Sequence, residues 1–459
     1  HLYALNVVFF KFMNYSGYSN SYEKKKKLQE KENTARQNLK NTLLKGSFNN
    51  KTAEQIADWD PFNQNASSGW FDPEFMFGIK NGFDIVIGNP PYGAKINNKD
   101  LKIILTRFNK YNNNNSASLF MELAHLLLNE KNGVISYILP KSLGFSSNWK
   151  KLIDENLPFL KSIVDVEEGF ENVLLEQLVL ILMKNINSNQ NIYNAFKLIN
   201  SEIIQKCSIN KEFYKNLDSL ICDIKMEELS IYEKIRINTF NLSSITKTVV
   251  GFSLQNDLTL RGEKPVYGGK SIGQCELKEP KGFVTTQIYE KYINLFSRSP
   301  KILVQDIVSH IQNPYPHLKI ISTIDKTGEI LSVNTIQNIF ITNSNFLLEY
   351  ICALLNSKFI SWFAYKFIYC SSIRTMHFGS SYNGRIKIFN ATIDEQLLFK
   401  KKVNQILSAK EQGDDTSDLE REIDAMVYKL YELTYDEVKI VEPEFKLSEE
   451  QYNNYKIME

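Results

Sequence analysis

The sequence predicts an α/β protein: a partial doubly wound sheet with an antiparallel edge hairpin, then an α+β domain, then a C-terminal helical hairpin. Three observations predict it. Between residues 83 and 183, apolar β-branched runs alternate with helical patterns, the order of a mostly parallel sheet. From residue 247 to 391 the runs become short, β-prone and punctuated by Gly and Pro, which marks a separate unit. Beyond residue 391, apolar residues recur at helical spacing in two stretches, each a candidate amphipathic helix.

The elements follow in order. Residues 22–46 are charged, with Leu28, Ala35, Leu39 and Leu43 at helical spacing and Gly46 as a stop, so a long solvated helix is expected within an N-terminal segment, residues 1–58. A loop rich in Asn, Ser and Trp leads to the next segment, residues 59–190. There, 83–88 reads as a buried strand, 116–129 as a helix, 133–139 as a second buried strand, 149–155 as a helix, and 162–166 and 177–183 as strands. Residues 167–176 are too few for a helical crossover, so the last two strands should form an antiparallel hairpin at the sheet edge. Residues 191–246 read as a helical connector. Residues 346–364 form one amphipathic helix inside the 247–391 domain. In residues 392–459 capping boxes stand at 417–420 and 434–437, where a hydroxyl and a carboxylate satisfy the free amides of a helix start.

Composition sets bounds. At roughly 150 residues per domain, a chain of 459 residues holds two to four domains. With 43% hydrophobic and 23% charged residues it is neither disordered nor fibrous. A net charge of +2 announces no polyanion, so any basic surface must be local. The five cysteines form no Cys-x-x-Cys pair and the five histidines show no metal spacing, so no metal site is expected, and the thiols read as reduced and cytoplasmic. No apolar run reaches the roughly 20 residues of a membrane span. The first residue is His1, without an initiator Met or a secretory pattern, so the chain is expected to start within a longer one.

One segment carries chemistry: Phe83-Asp84-Ile85-Val86-Ile87-Gly88-Asn89-Pro90-Pro91-Tyr92. Strand ends of open α/β sheets are where ligands bind. Two prolines hold Asn89 extended and remove two backbone donors, leaving an amide oxygen, a carbonyl and an aromatic face in fixed geometry. Two acceptors can take the two protons of a planar amine and aim its lone pair at an electrophile, while Tyr92 stacks on the attached ring. The alternative is an ordinary turn after a core strand. The strand before the loop and the strand–helix–strand pattern after it favour the site.

These residues resemble the N6-adenine DNA methyltransferases, whose (Asn/Asp)-Pro-Pro-Tyr motif follows such a strand, and most of all the methyltransferase part of type IIG restriction–modification enzymes. Asp60-Pro61-Phe62-Asn63 through Phe71, Leu119-Phe120-Met121-Glu122-Leu123, and the run from Leu419-Glu420-Arg421-Glu422-Ile423-Asp424 to Tyr428-Lys429-Leu430-Tyr431 are similar to that family too. The resemblance implies a methyltransferase sheet and transfer from S-adenosylmethionine to the exocyclic amine of an adenine flipped out of double-stranded DNA. It implies that the Asn89 side chain and the Pro90 carbonyl, presented by Pro91, accept from the amine, that Tyr92 and Phe170 sandwich the base, and that Asp84 and Phe120 border the cofactor. It also implies that residues 247–391 are a target-recognition domain, in which Lys270, Arg298, Lys301, Arg374 and Arg385 contact DNA, with Lys264 and Lys387 and the aromatics Tyr267, Tyr315 and Tyr382 interleaved.

The family's Gly-rich turn (Phe-x-Gly-x-Gly) is missing before Asn89; only Tyr15-Ser16-Gly17-Tyr18 stands there, and the nuclease signature is absent as well. The chain therefore looks like the C-terminal half of such an enzyme, binding S-adenosylmethionine weakly or not at all by itself. A further N-terminal portion or a separate chain would bring the cofactor loop, and a nuclease elsewhere would bring Mg2+. Two other readings remain open: a non-catalytic DNA-specificity fragment, and a protein glutamine methyltransferase, since a side-chain amide also fits two acceptors.

Overall fold

A computed structural model describes residues 22–46, 49–60, 63, 69–111, 113, 115–169, 175–185, 191–296 and 298–457. The chain divides into two compact units: His1–Ile87 with Met121–Ile135 and Met183–Asn185, and Gly88–Phe120 with Ser136–Leu182 and Ile186–Glu459.

In the first unit the charged helix Tyr22–Lys45 buries a narrow apolar stripe, Ala35 and Leu39, which packs with Leu43 and with Ile56 of the helix Asn50–Ala57. Asn49 caps the shorter helix by accepting from Thr52 N at 2.8 Å, a side-chain substitute for the missing helical acceptor. The strand β1 (Ile85–Gly88) is entered through Gly82, at φ +80°, where a Cβ would stand 2.7 Å from the Leu128 carbonyl carbon; only glycine fits that approach. Phe83 then bonds to Leu127 O and Asn129 N, and Asp84 O accepts from Val134 N, the first residue of β2 (Val134–Pro140). The expectation of a buried β1 is corrected: Ile85 is 64% and Ile87 78% exposed.

The second unit carries the sheet order β2-β4-β3-β5-β6, with β3 Leu160–Glu167, β4 Gln177–Met183, β5 Ile192–Ile199 and β6 Glu202–Asn210. Strands β3 and β4 are antiparallel, pairing Val164 with Val179, and β3 runs parallel to β5, pairing Ile163 with Ala195. Their hairpin is therefore interior, which corrects the expected edge position. The edge is the β5–β6 hairpin, built from residues expected to be a helical connector. Burial alternates along the first half of β5, the signature of a strand with one covered face. Its turn, Asn200-Ser201, has φ of 49° and 67°, the left-handed pair that matches strand twist in a two-residue hairpin.

Farther along, Ser322–Asp325, Lys301–Gln305, Ile336–Ile341 and Thr246–Val250 make an antiparallel four-stranded sheet in that order. The single helix expected at 346–364 is two, Leu348–Asn356 and Lys358–Phe363, because Ser357 caps the second by accepting from Ile360 N. The C-terminal helices Ile393–Gln412 and Ser417–Leu430 form as expected and turn at Gly413, with φ +80°. The box at 434–437 forms, but at the preceding helix Thr416, not Ser417, reaches the Glu420 carboxylate.

Candidate active site and nucleic-acid interface

The loop after β1 lies in the second unit, which contains Gly88–Phe120. Gly88 sits where a Cβ would come within 3.3 Å of the Tyr137 ring. Asn89 is exposed, Pro90 is buried and Pro91 exposed. Ser116, the buried first residue of the helix Ser116–Leu127, locks the loop from behind: its hydroxyl donates to Pro91 O at 2.5 Å and accepts from Ala94 N at 3.3 Å. Tyr92 is half-buried, and its hydroxyl accepts from the Gln177 amide at 2.7 Å. One polar end of the loop is thus left free at Asn89 while both sides of it are fixed. A preorganised acceptor pair needs that combination, because it cannot relax away from a developing charge.

Phe170 lies outside the described residues. Phe120 is 39% exposed, its carbonyl accepting from the Tyr137 hydroxyl at 3.4 Å, while Asp84 is exposed in the first unit. Neither supplies a glycine turn or a paired carboxylate, so the described residues build an acceptor side and do not fit S-adenosylmethionine as a complete cradle. Among the described residues no three His, Cys, Asp or Glu side chains gather as they would for a metal ion, and no helix is long and apolar enough to cross a membrane.

Residues 4–171 match the family model described as Eco57I restriction-modification methylase, and residues 264–386 match the TaqI-like C-terminal specificity domain. One stretch of the chain is thus similar to a restriction–modification methylase and a later one to a TaqI-like specificity domain. A protein of Methanocaldococcus jannaschii named as a type II restriction enzyme and methyltransferase is 25% identical over 354 residues, 71% of this chain and 28% of that one. The chain therefore spans under a third of that relative's length. Solved structures with likeness include the type IIG restriction endonuclease BpuSI (13% identity, 79% of this chain and 55% of that one, TM-score 0.27). A nuclease-deletion mutant of the Type ISP enzyme LlaGI with a DNA substrate mimic is another (11%, 71% and 41%, TM-score 0.36).

The region that matches the specificity-domain model separates the basic residues expected at DNA into two kinds. Lys270 is exposed. Arg298 is partly exposed and pairs with Glu290 and, at 3.7 Å, Glu329, while Arg374 pairs with Glu168 at 2.8 Å. Lys301 is corrected: its side chain is fully buried in the four-stranded sheet, 2.6 Å from Asp325. Arg385 is corrected too. Its guanidinium donates to the carbonyls of Phe145, Leu217, Asp218 and Ser381 and to the Ser219 hydroxyl, so it clamps backbone and has no face left for phosphate. Tyr382 lies under that guanidinium at 5.2 Å. Lys387 donates to the Asn241 side chain at 2.8 Å, and Lys264 sits over the Tyr289 ring at 5.1 Å. Arg385→Ala is expected to cost about 3 kcal/mol of stability by stranding those carbonyls. Urea unfolding reads this, and unchanged stability with weakened DNA binding would reverse the assignment.

Sequence reasoning missed Ser116, Lys141, Glu176 and Gln177. Lys141 is buried yet charged: its Nζ lies 2.8 Å from Asp165 and 3.2 Å from Glu176. A Lys two residues beyond the strand 133–139 and a Glu-Gln pair at the start of β4 were the signals in sequence.

A cavity of about 640 Å³ is lined by Tyr315, His317, Lys358, Asp424 and Glu442, among others. Burial pushes the Asp424 carboxyl up to about 7, against the Lys358 charge and backbone N–H that favour its ionised form, while Glu442 and Glu420 add repulsion. An unfolded Asp titrates near 3.9, so the folded state holds this proton more tightly. The contribution of Asp424 to stability is expected to be full below about pH 4 and to be lost as pH rises through about 7. Asp424→Asn should flatten that fall; equal pH slopes for the two proteins between pH 5 and 8, read as urea midpoints, would exclude it.

Proposed function

We propose that this chain supplies the base-accepting side and the sequence-reading part of an adenine-specific DNA methyltransferase of the type IIG restriction–modification kind, acting in the cytoplasm. The methyl group comes from S-adenosylmethionine and goes to the exocyclic amine of an adenine flipped out of double-stranded DNA. When bound, that donor supplies the electrophilic methyl. The chain's own residues act on the amine: the Asn89 side chain and the Pro90 carbonyl accept hydrogen bonds from its two N–H groups, Pro91 keeps the pair extended, and Tyr92 stacks on the base with Phe170 as its opposite face. Exposed Lys270 and the partly exposed Arg298 and Arg374 are the candidates for phosphate and base-edge contacts.

The observation that carries this reading is the exposed Asn89 held between a strand end and a Tyr92 fixed through Gln177, with Ser116 locking the backbone between. Incubation with labelled S-adenosylmethionine, mixed-sequence duplex DNA and a glutamine-containing protein acceptor tests it. Label in DNA at adenine supports the reading, and label in protein replaces it with glutamine methylation. DNA binding with no label in either leaves a specificity module, which the incomplete donor cradle among the described residues favours as the second reading.

A further inference from the structure

The residue that sets Tyr92 lies outside its loop. Gln177, the first residue of β4, is fully buried, and the one hydrogen bond its side chain makes among the described residues is the Nε2 donation to the Tyr92 hydroxyl at 2.7 Å. Its Oε1 has no partner there and stands 2.9 Å from where a Cβ on Gly169 would be. A buried amide left half satisfied costs stability that a leucine of similar shape would not. A packing role therefore does not explain it, whereas the bond to Tyr92 does. A tyrosine attached at Cα and pinned at its hydroxyl keeps its ring axis in one direction instead of sampling its χ1 rotamers. The backbone of Gln177 is itself anchored by the neighbouring Glu176, whose carboxylate accepts from the Ser372 hydroxyl and from Ile373 N at 3.0 Å and is ion-paired with the Lys141 ammonium at 3.2 Å. Ser372 and Ile373 belong to the specificity domain.

We propose that Gln177 is a positioning residue for Tyr92, holding its ring at the angle at which it meets the flipped base, with Glu176 fixing it to the specificity domain. This rests on the methyl-transfer reading above. The test uses wild type, Gln177→Leu, Gln177→Glu, Tyr92→Phe and the Leu/Phe double variant. Label transfer from S-adenosylmethionine to mixed-sequence duplex DNA is measured alongside fluorine NMR of fluorotyrosine placed at position 92. Gln177→Leu should lower kcat about fivefold, the worth of one hydrogen bond, with KM for DNA within about twofold. Gln177→Glu should restore most of it, because a carboxylate accepts from the hydroxyl instead. Tyr92→Phe should show the same fall, and Gln177→Leu should add nothing to it. The fluorine resonance should move in the Leu variant. Additive losses, an unmoved resonance, or a wild-type kcat in Tyr92→Phe, which decides the matter if the Leu variant does not fold, each overturn the proposal. A wild type that labels no DNA removes methyl transfer by this chain alone; the fluorine shift then decides whether Gln177 holds Tyr92, and an unmoved resonance overturns that as well.

Discussion

Asn89→Ala is expected to reduce methyl transfer to DNA by on the order of 10²–10³-fold, the usual cost of removing one preorganised hydrogen-bonding group from a reacting centre. As the amine nitrogen attacks, it leaves conjugation and gains positive charge, so an acceptor 3 Å or so away stabilises the transition state more than the planar ground state. On the proposed reading Asn89 Oδ1 is the side-chain acceptor of the pair, and alanine would leave only the Pro90 carbonyl. Asn89 is exposed, so stability should stay within about 0.5 kcal/mol of wild type, and DNA affinity should hold because phosphate contacts lie elsewhere. The loss must then fall on kcat. Initial rates with labelled S-adenosylmethionine, paired with a thermal melt, decide it. An alanine variant keeping more than about a tenth of the rate would remove Asn89 from the chemistry.

Lys141→Met is expected to destabilise the second unit by about 3–5 kcal/mol, because removing one member of a buried ion cluster strands the others. The lysine bridges Asp165 and Glu176 and also donates to Ser371 O at 3.2 Å. Burial opposes its charge, yet the nearby Asp165, Cys222 and Glu176 outweigh that and hold its ammonium well above the ordinary lysine range. The stability it supplies is fully present below about pH 10 and is lost only as pH rises through its elevated value. Adding Asp165→Asn and Glu176→Gln to the methionine variant should recover part of the loss. Urea unfolding at pH 8 measures both, and a single-variant change under about 1 kcal/mol would mean that water or relaxation rescues the two carboxylates.

What was legible in the sequence had a short-range cause. The strand at 177–183, the helix at 116–127, the helical hairpin after residue 391 and the box at 434–437 follow from spacing, patterning and capping within about ten residues of each other. The Asn89–Tyr92 loop stood out because two prolines after an apolar strand restrict backbone and donors together. The β5–β6 hairpin did not stand out, since Asn200-Ser201 is a weaker turn signal than Asn-Gly and the strand alternation is interrupted by half-buried residues.

The basic residues show the limit most sharply. Lys270, Lys301 and Arg385 read alike in sequence, as single cations among β-prone runs. Folding leaves the first exposed, pairs the second with Asp325 inside a sheet, and closes the third on backbone carbonyls from segments some 170 and 240 residues away in the chain. Likewise no local rule links Tyr92 to Gln177, 85 residues apart. The sequence by itself determined which residues could accept from an amine, because proline geometry and donor counts are fixed by covalent structure. Only the tertiary structure decided which cations are free and what holds Tyr92, because burial and partners arise where distant strands are brought together.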